Sequence, residues 1–277
     1  MSRFASALLR NYRQGLIAGY GAVLLAVVHV PASSQSSYKE IEIAGGGSIT
    51  GTVHLKGDPS IAERLEITKD KSCCGSVKVC PRLVVNKSGG VKNAVIYLDR
   101  ITEGKKFAAS PKALLNQKKC EYDPHVMVLP QGTQMDIVNN DPILHNVHAY
   151  CGAQSTFNIA QPLKGQRTCI KQTQLAKPGI IGLTCDAGHP WMSGFLFVVP
   201  HPYYAITDKN GNFRLDDVPP GTYTLKMWHE GVTIVNRESE KGKVMRYIFE
   251  EPYEESKEVT IGSGAAASAD FDLTLRK

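Results

Sequence analysis

The body of this chain is broken into short alternating or β-branched stretches, each closed by Gly, Pro or Asn, and that rhythm restricts it to an all-β fold. The stretches are Ser48-Ile-Thr-Gly-Thr-Val-His-Leu, Leu83-Val-Val-Asn, Ala94-Val-Ile-Tyr-Leu, His125-Val-Met-Val-Leu, Gln134-Met-Asp-Ile-Val, Ile180-Ile-Gly-Leu-Thr-Cys and Phe195-Leu-Phe-Val-Val. Successive side chains on a strand point to opposite faces, so runs of this kind suit sandwiches with buried faces. Residues 111–117 alone suggest a helical period.

With 277 residues, 42% of them hydrophobic and 21% charged, the chain has the composition of an ordinary globular protein of one large or two small domains. The formal charge of +6 includes Arg3, Arg10 and Arg13 of the N-terminal segment, so the remainder is only mildly basic. No Arg/Lys stripe with interleaved aromatics stands out, and no nucleic-acid partner is expected. The three arginines precede an apolar run from Gly15 to Val30, broken by Tyr20 and His29 and followed by Pro31-Ala-Ser-Ser. This is the layout of an export signal over residues 1–34, cleaved after Ala32 or Ser34. An uncleaved anchor is the alternative, although the run falls short of a comfortable bilayer span. The expectation is a soluble periplasmic or secreted product with no stable membrane insertion.

Chemistry concentrates in two motifs, Asp141-Pro-Ile-Leu-His145-Asn-Val-His148 and Cys185-Asp-Ala-Gly-His189-Pro-Trp-Met192. Ile181, Leu183 and Cys185 share one strand face, and the following turn can wrap an ion, with His145 arriving from a neighbouring strand. A thiolate, two imidazoles and a thioether form a soft donor set that suits copper, with Met192 as a weak axial contact. Zinc is the rival, but it prefers Cys, His and carboxylates to Met. Singly, Cys185 could be a disulfide partner and Met192 a core residue; their occurrence in order with His145 and His189 favours a metal. Asn146, Asp186 and Pro190 are candidates for holding the loops around it. His148 falls three residues beyond His145, on the opposite face, and is read as a supporting or structural residue. His125, His201 and His229 are read as satisfied structural histidines, and Asp208, Asp216 and Asp217 as turn formers rather than calcium ligands.

Seven cysteines fit an oxidising compartment. With Cys185 given to metal, Cys73, Cys74, Cys80, Cys120, Cys151 and Cys169 remain for up to three bridges whose pairing is open. A Cys151–Cys169 bridge would brace the site; free or differently paired thiols are the alternative. No Cys-x-x-Cys-His occurs, and no G-x-S-x-G, H-E-x-x-H or phosphate-cradling loop, so neither attached haem nor catalysis is expected.

His145-Asn-Val and Lys177-Pro-Gly-Ile-Ile-Gly-Leu-Thr-Cys185 with its His and Met resemble cupredoxins, the blue copper proteins. The resemblance implies a Greek-key β-sandwich with one type 1-like copper per chain on His145, Cys185, His189 and Met192. The ligand loop, C-x3-H-x2-M, is shorter than the better-known blue copper loops. Pro124-His-Val, Asn140-Asp-Pro, Phe157-Asn-Ile-Ala-Gln-Pro, His189-Pro-Trp-Met and Trp228-His-Glu extend the likeness to periplasmic cupredoxin-like proteins labelled as methylamine utilisation proteins. After Pro200, Asn210-Gly and Pro219-Pro-Gly predict two turns joining three consecutive strands. With Phe213 and Tyr223 they resemble the carboxypeptidase regulatory-like, transthyretin-like β-sandwich. Gly47-Ser-Ile-Thr-Gly-Thr-Val-His-Leu-Lys-Gly57 is similar to its opening strand, and residues 255–276 would supply its last ones. The expected layout is a signal over 1–34, first sandwich strands over 35–57, a copper domain over 58–200 and the regulatory-like sandwich over 201–277.

Two functions are compatible with this layout. One is periplasmic electron transfer to and from redox partner proteins. The other is a non-redox scaffold that binds carbohydrate or protein, or stores copper, for which Tyr203, Tyr204 and Trp228 would supply surface aromatics.

Overall fold

The computed structural model describes residues 38–58, 63–108 and 113–276, so the expected signal segment, 1–34, lies outside the described residues. The fold is all-β. Its main body consists of four sheets stacked face to face, and the stacking follows from strands whose two faces are both apolar.

Sheet I has the order Arg167–Ile170, Met135–Asn139, Ala113–Gln117, Tyr122–Asp123. Sheet II has the order Gln154–Gln161, His145–Cys151, Gly179–Thr184, Ser193–Val199, Val126–Pro130. The two share a core in which Leu115, Met135, Ile137 and Ile170 face Val147, Ile181, Leu183 and Leu196. Sheet III runs Tyr204–Ile206, Val95–Leu98, Gly221–His229, Tyr253–Ile261. Sheet IV runs Asn212–Val218, Gly47–Lys56, Ala266–Ser268, and Phe271–Thr274 also pairs with Gly47–Lys56. Ile96, Leu98, Leu225 and Met227 of sheet III meet Ile49, Val53, Phe213 and Phe271 of sheet IV in a second core.

Sheets II and III then join back to back. Along Ser193–Val199, Leu196 and Val198 enter the first core while Phe195, Phe197 and Val199 enter the junction. Along Val95–Leu98, Ile96 and Leu98 enter the second core while Val95 and Tyr97 enter the junction. This two-residue alternation explains why both stretches read as unbroken apolar runs rather than as polar/apolar alternation. Trp228 sits at the centre of the junction, edge-on to Phe195 and Phe197 at ring separations of 5.1 and 4.7 Å. Edge-to-face packing of this kind adds to the area that the rings bury.

Several expectations need correction. Residues 113–117 form a strand, not a helix, because Ala113–Gln117 runs parallel to Met135–Asn139 and its Leu115 and Gln117 are buried. A five-residue run is too short for its period to tell the two apart. Val95–Leu98, expected within the 58–200 domain, hydrogen-bonds between Tyr204–Ile206 and Gly221–His229 of sheet III. Conversely, the hairpin of Ile234–Glu240 and Lys243–Phe249, expected in the 201–277 sandwich, packs Ile234, Tyr247 and Phe249 on the first core. The turns at Asn210-Gly211 and Pro219-Pro220-Gly221 join three consecutive strands as expected, and each carries the chain from one of sheets III and IV to the other. Gly211, at φ +82°, supplies the left-handed conformation of the first turn, and Asp208 Oδ1 accepts from the amides of Asn210 and Asn212. Tyr203 and Trp228 are buried at 0% and 1% exposure, so they offer no surface platform for a ligand.

Cys151 and Cys169 are free and exposed, on sheets II and I, so of the two alternatives left open for them the structure has the free thiols. Cys74 and Cys120 are bonded instead, with Cα atoms 5.3 Å apart. Among the described residues no helix is long and apolar enough to cross a membrane.

Candidate metal centre

The site lies at one end of the first core, where three donors from two elements converge. His145 opens strand His145–Cys151, which pairs antiparallel with Gly179–Thr184, and Cys185 follows that second strand directly. Gly188, at φ +85°, lets the loop turn back so that His189 enters beside Cys185. A ligand atom of each of His145, Cys185 and His189 lies within 4.8 Å of the other two, and all three residues are buried.

The orientation of the two imidazoles decides what this cluster can do. His145 Nε2 lies 2.8 Å from Asp141 Oδ2, and His189 Nε2 lies 2.8 Å from Asp70 Oδ2. A ring nitrogen that faces a carboxylate carries the proton, so each Nε2 is the N–H and each Nδ1 is left with its lone pair. The two Nδ1 atoms are 3.2 Å apart, and His189 Nδ1 is 3.6 Å from Cys185 Sγ. Two lone pairs cannot hydrogen-bond to each other. The arrangement is one that a cation would satisfy, and a carboxylate behind each ligand histidine is the usual way a protein fixes its tautomer for a metal.

The charges agree with that reading. Burial pushes the pKa values of His145 and His189 below the ordinary imidazole value, against the pull of Asp141 and Asp70, and so disfavours the protonated form of both rings. Burial also pushes the Cys185 thiol up, against the amides of Ala187 and Asn146, so an incoming cation must displace its proton. Burial alone would raise Asp141, but the amides of Cys120 and Lys119, both at 2.8 Å, and His145 hold it below the usual carboxylate value.

Asn146, predicted as a loop holder, donates its backbone N–H toward Cys185 Sγ at 3.4 Å and accepts from the Asp186 amide at 3.1 Å. Asp186 is pulled outward to His148 Nδ1, at 2.6 Å, and His148 stands outside the donor cluster. Met192 is 2% exposed in the same core, and its backbone N–H donates to the His189 carbonyl at 3.0 Å. Trp191 covers His189 at a ring separation of 5.2 Å. Trp191 and Met192 also border a cleft of about 600 Å³ with Lys118, Lys119 and His125.

Sequence reasoning missed Asp70 and gave Asp141 no role. Asp141 sits four residues before His145, a local signal that could have been read. Asp70 stands 119 residues from its partner. Its one local sign is a conflict: it precedes the turn Lys71–Cys74 as an N-cap residue, yet its side chain does not cap that turn and holds His189 instead. Lys69 reaches the same loop, donating to the Ala187 carbonyl at 2.6 Å. His125, His201 and His229 form no part of the donor cluster.

Residues 201–242 match the profile of polysaccharide lyase family 4, domain II. No curated protein matches the sequence. Among solved structures, the chain is similar to a Cu-containing nitrite reductase from Thermus scotoductus SA-01, at 23% identity and a TM-score of 0.28 over 36% of this chain and 25% of that one. It is also similar to a purple cupredoxin from Nitrosopumilus maritimus, at 23% identity and a TM-score of 0.27 over 32% of this chain and 100% of that one. An amicyanin variant is similar at 21% identity and a TM-score of 0.28, over 33% of this chain and 86% of that one.

Proposed function

We propose that this protein binds one copper ion through His145 Nδ1, His189 Nδ1 and the Cys185 thiolate, with Met192 as a weak fourth contact, and that it carries single electrons between redox partner proteins outside the cytoplasm. The observation that carries the reading is the pair of Nδ1 lone pairs turned toward each other beside a buried thiol, each imidazole held from behind by a carboxylate. Bound there, copper would supply a one-electron couple whose potential depends on the thiolate and the axial contact. The chain's own part is to hold the donors still. Asn146 fixes the Cys185 loop from one side, Lys69 and Asp70 fix it from the other, and Asp141 fixes His145. Rigid support of this kind limits rearrangement when charge changes. Leu144, next to His145, is exposed, so the first imidazole stands one residue from the surface where a partner could approach. The sandwich of sheets III and IV, which buries Phe213, Trp228, Tyr253 and Phe271, would act as a scaffold.

The test is a visible spectrum and metal analysis of the full chain reconstituted with Cu(II), beside a Cys185→Ser variant. One copper per chain with intense thiolate charge-transfer bands that vanish in the variant is the expected result. No such band and no stoichiometric copper would overturn the reading.

A further inference from the structure

Behind the donor cluster lies a second group of sulfur atoms that the metal reading does not use. Cys73 and Cys74 are consecutive in the turn Lys71–Cys74, and Cys74 is bonded to Cys120. Cys73 is free, yet its Sγ, the Cys120 Sγ and a carboxylate oxygen of Asp141 all lie within 4.8 Å of one another. A free thiol therefore stands beside a disulfide, next to the sulfur that both neighbouring cysteines can reach. Cys120 is fully buried, whereas Cys73 is partly exposed.

We propose that Cys73, Cys74 and Cys120 form an internal thiol–disulfide exchange centre in which either of the two adjacent cysteines can hold the bridge to Cys120. Exchange begins with loss of the Cys73 thiol proton. The thiolate attacks Cys120 Sγ, a Cys73–Cys120 bond forms, and the Cys74–Cys120 bond breaks with its electron pair leaving on Cys74. The Cys74 thiolate then takes up the proton. Sulfur is neither oxidised nor reduced overall, and no external oxidant is needed, because a thiolate, a disulfide and a leaving thiolate complete the exchange.

The position of the bridge gives the exchange a consequence. Asp70, which holds His189, begins the turn that carries both cysteines, and the Cys120 amide donates to Asp141, which holds His145. The bridge therefore links the supports of both imidazoles, and moving it by one residue shifts the turn on which Asp70 stands. Burial and the neighbouring Asp141 raise the Cys73 thiol, so the exchange quickens as pH rises.

Bridge connectivity decides the matter, by tandem mass spectrometry of unreduced peptides from the full chain after free thiols are blocked in acid. Cys74→Ser should contain a Cys73–Cys120 bridge, and Cys73→Ser should keep Cys74–Cys120. Wild-type protein held at mildly alkaline pH without oxidant should yield both linkages with no change in the number of free thiols. A Cys74→Ser protein whose Cys120 is alkylated as a free thiol would overturn the proposal. So would wild-type protein that keeps the Cys74–Cys120 linkage alone, a measurement that requires no variant to fold. Connectivity is read without metal, so a chain that takes up no copper tests the exchange equally.

Discussion

Two regions of this molecule bury ionisable groups, and they do so in opposite ways. At the junction of sheets II and III, Glu230 is 1% exposed, its carboxylate contacts His125 Nε2, and Arg82 Nη1 lies 3.0 Å away. The Arg82 guanidinium also covers Phe249 at 3.7 Å. Burial would raise Glu230, but His125 and Arg82 hold it below the usual carboxylate value. That cluster contains both signs of charge, and the Glu230 carboxylate finds its counter-charges within the chain. At the end of the first core, His145, Cys185 and His189 face one another with two lone pairs and a thiol, and their carboxylates stand on the far side of the rings. Burial alone therefore does not mark a functional site. What distinguishes the second cluster is that its members point acceptors at each other.

The comparison can be broken most directly at the junction. Glu230→Ala leaves Arg82 buried without its partner, and loss of one member of a buried ion pair costs about 3–5 kcal/mol. Urea unfolding should register that loss while copper uptake per folded molecule stays unchanged. A variant that loses copper with little change in stability would reverse the roles assigned to the two clusters.

Asp141→Asn acts on the other side. It keeps the size of the side chain but removes the carboxylate behind His145, and such supporting residues are worth roughly 10–100-fold in metal affinity. Asp70→Asn should have the smaller effect, since the Asp70 carboxylate is 31% exposed and that of Asp141 7%. Competition titration against a chelator measures both. Equal affinities for wild type and Asp141→Asn would remove the carboxylates from the account of the site.

Acidification separates the buried imidazoles from the buried carboxylates by pH window. His145 and His189, like His201 and His229, have lowered native pKa values, so in the metal-free protein the unfolded chain takes up protons that the native state refuses. Their contribution to stability is intact above the unfolded imidazole pKa of about 6.5 and is lost as pH falls toward the lower native values. Glu230 has a lowered carboxyl pKa, so its contribution is intact above the unfolded value of about 4.3 and falls only below that. Urea midpoints of metal-free protein followed against pH should decline in two stages, the first at near-neutral pH. A midpoint that stays flat until the carboxylate range would show that the imidazoles titrate normally.

The smallest effect is expected at Lys56, whose pair with Asp272 lies 3.6 Å apart with both side chains more than half exposed. Exposed pairs of this kind contribute roughly 0.2–1 kcal/mol, so Lys56→Ala should shift the urea midpoint only slightly and leave metal uptake untouched.

Much of this protein is written locally. Cys185, His189 and Met192 fall within one eight-residue motif, and the strand before it assigns Ile181, Leu183 and Cys185 to one face by alternation alone. The all-β class and the opening strand Gly47–Lys56 were readable for the same reason, since period and turn residues act over a few neighbours. Tertiary structure decided what depends on distant partners. It set Val95–Leu98 in sheet III rather than with its sequence neighbours, bonded Cys74 to Cys120 while Cys151 and Cys169 stayed free, and brought Asp70 to His189 across 119 residues. It also turned each Nε2 to a carboxylate and so left the two Nδ1 atoms facing the thiol. A sequence fixes which donor atoms exist and which face of a strand they take, because those follow from local geometry. Which nitrogen of a ring is free depends on a partner brought in by the packing of whole sheets, and no local pattern encodes that.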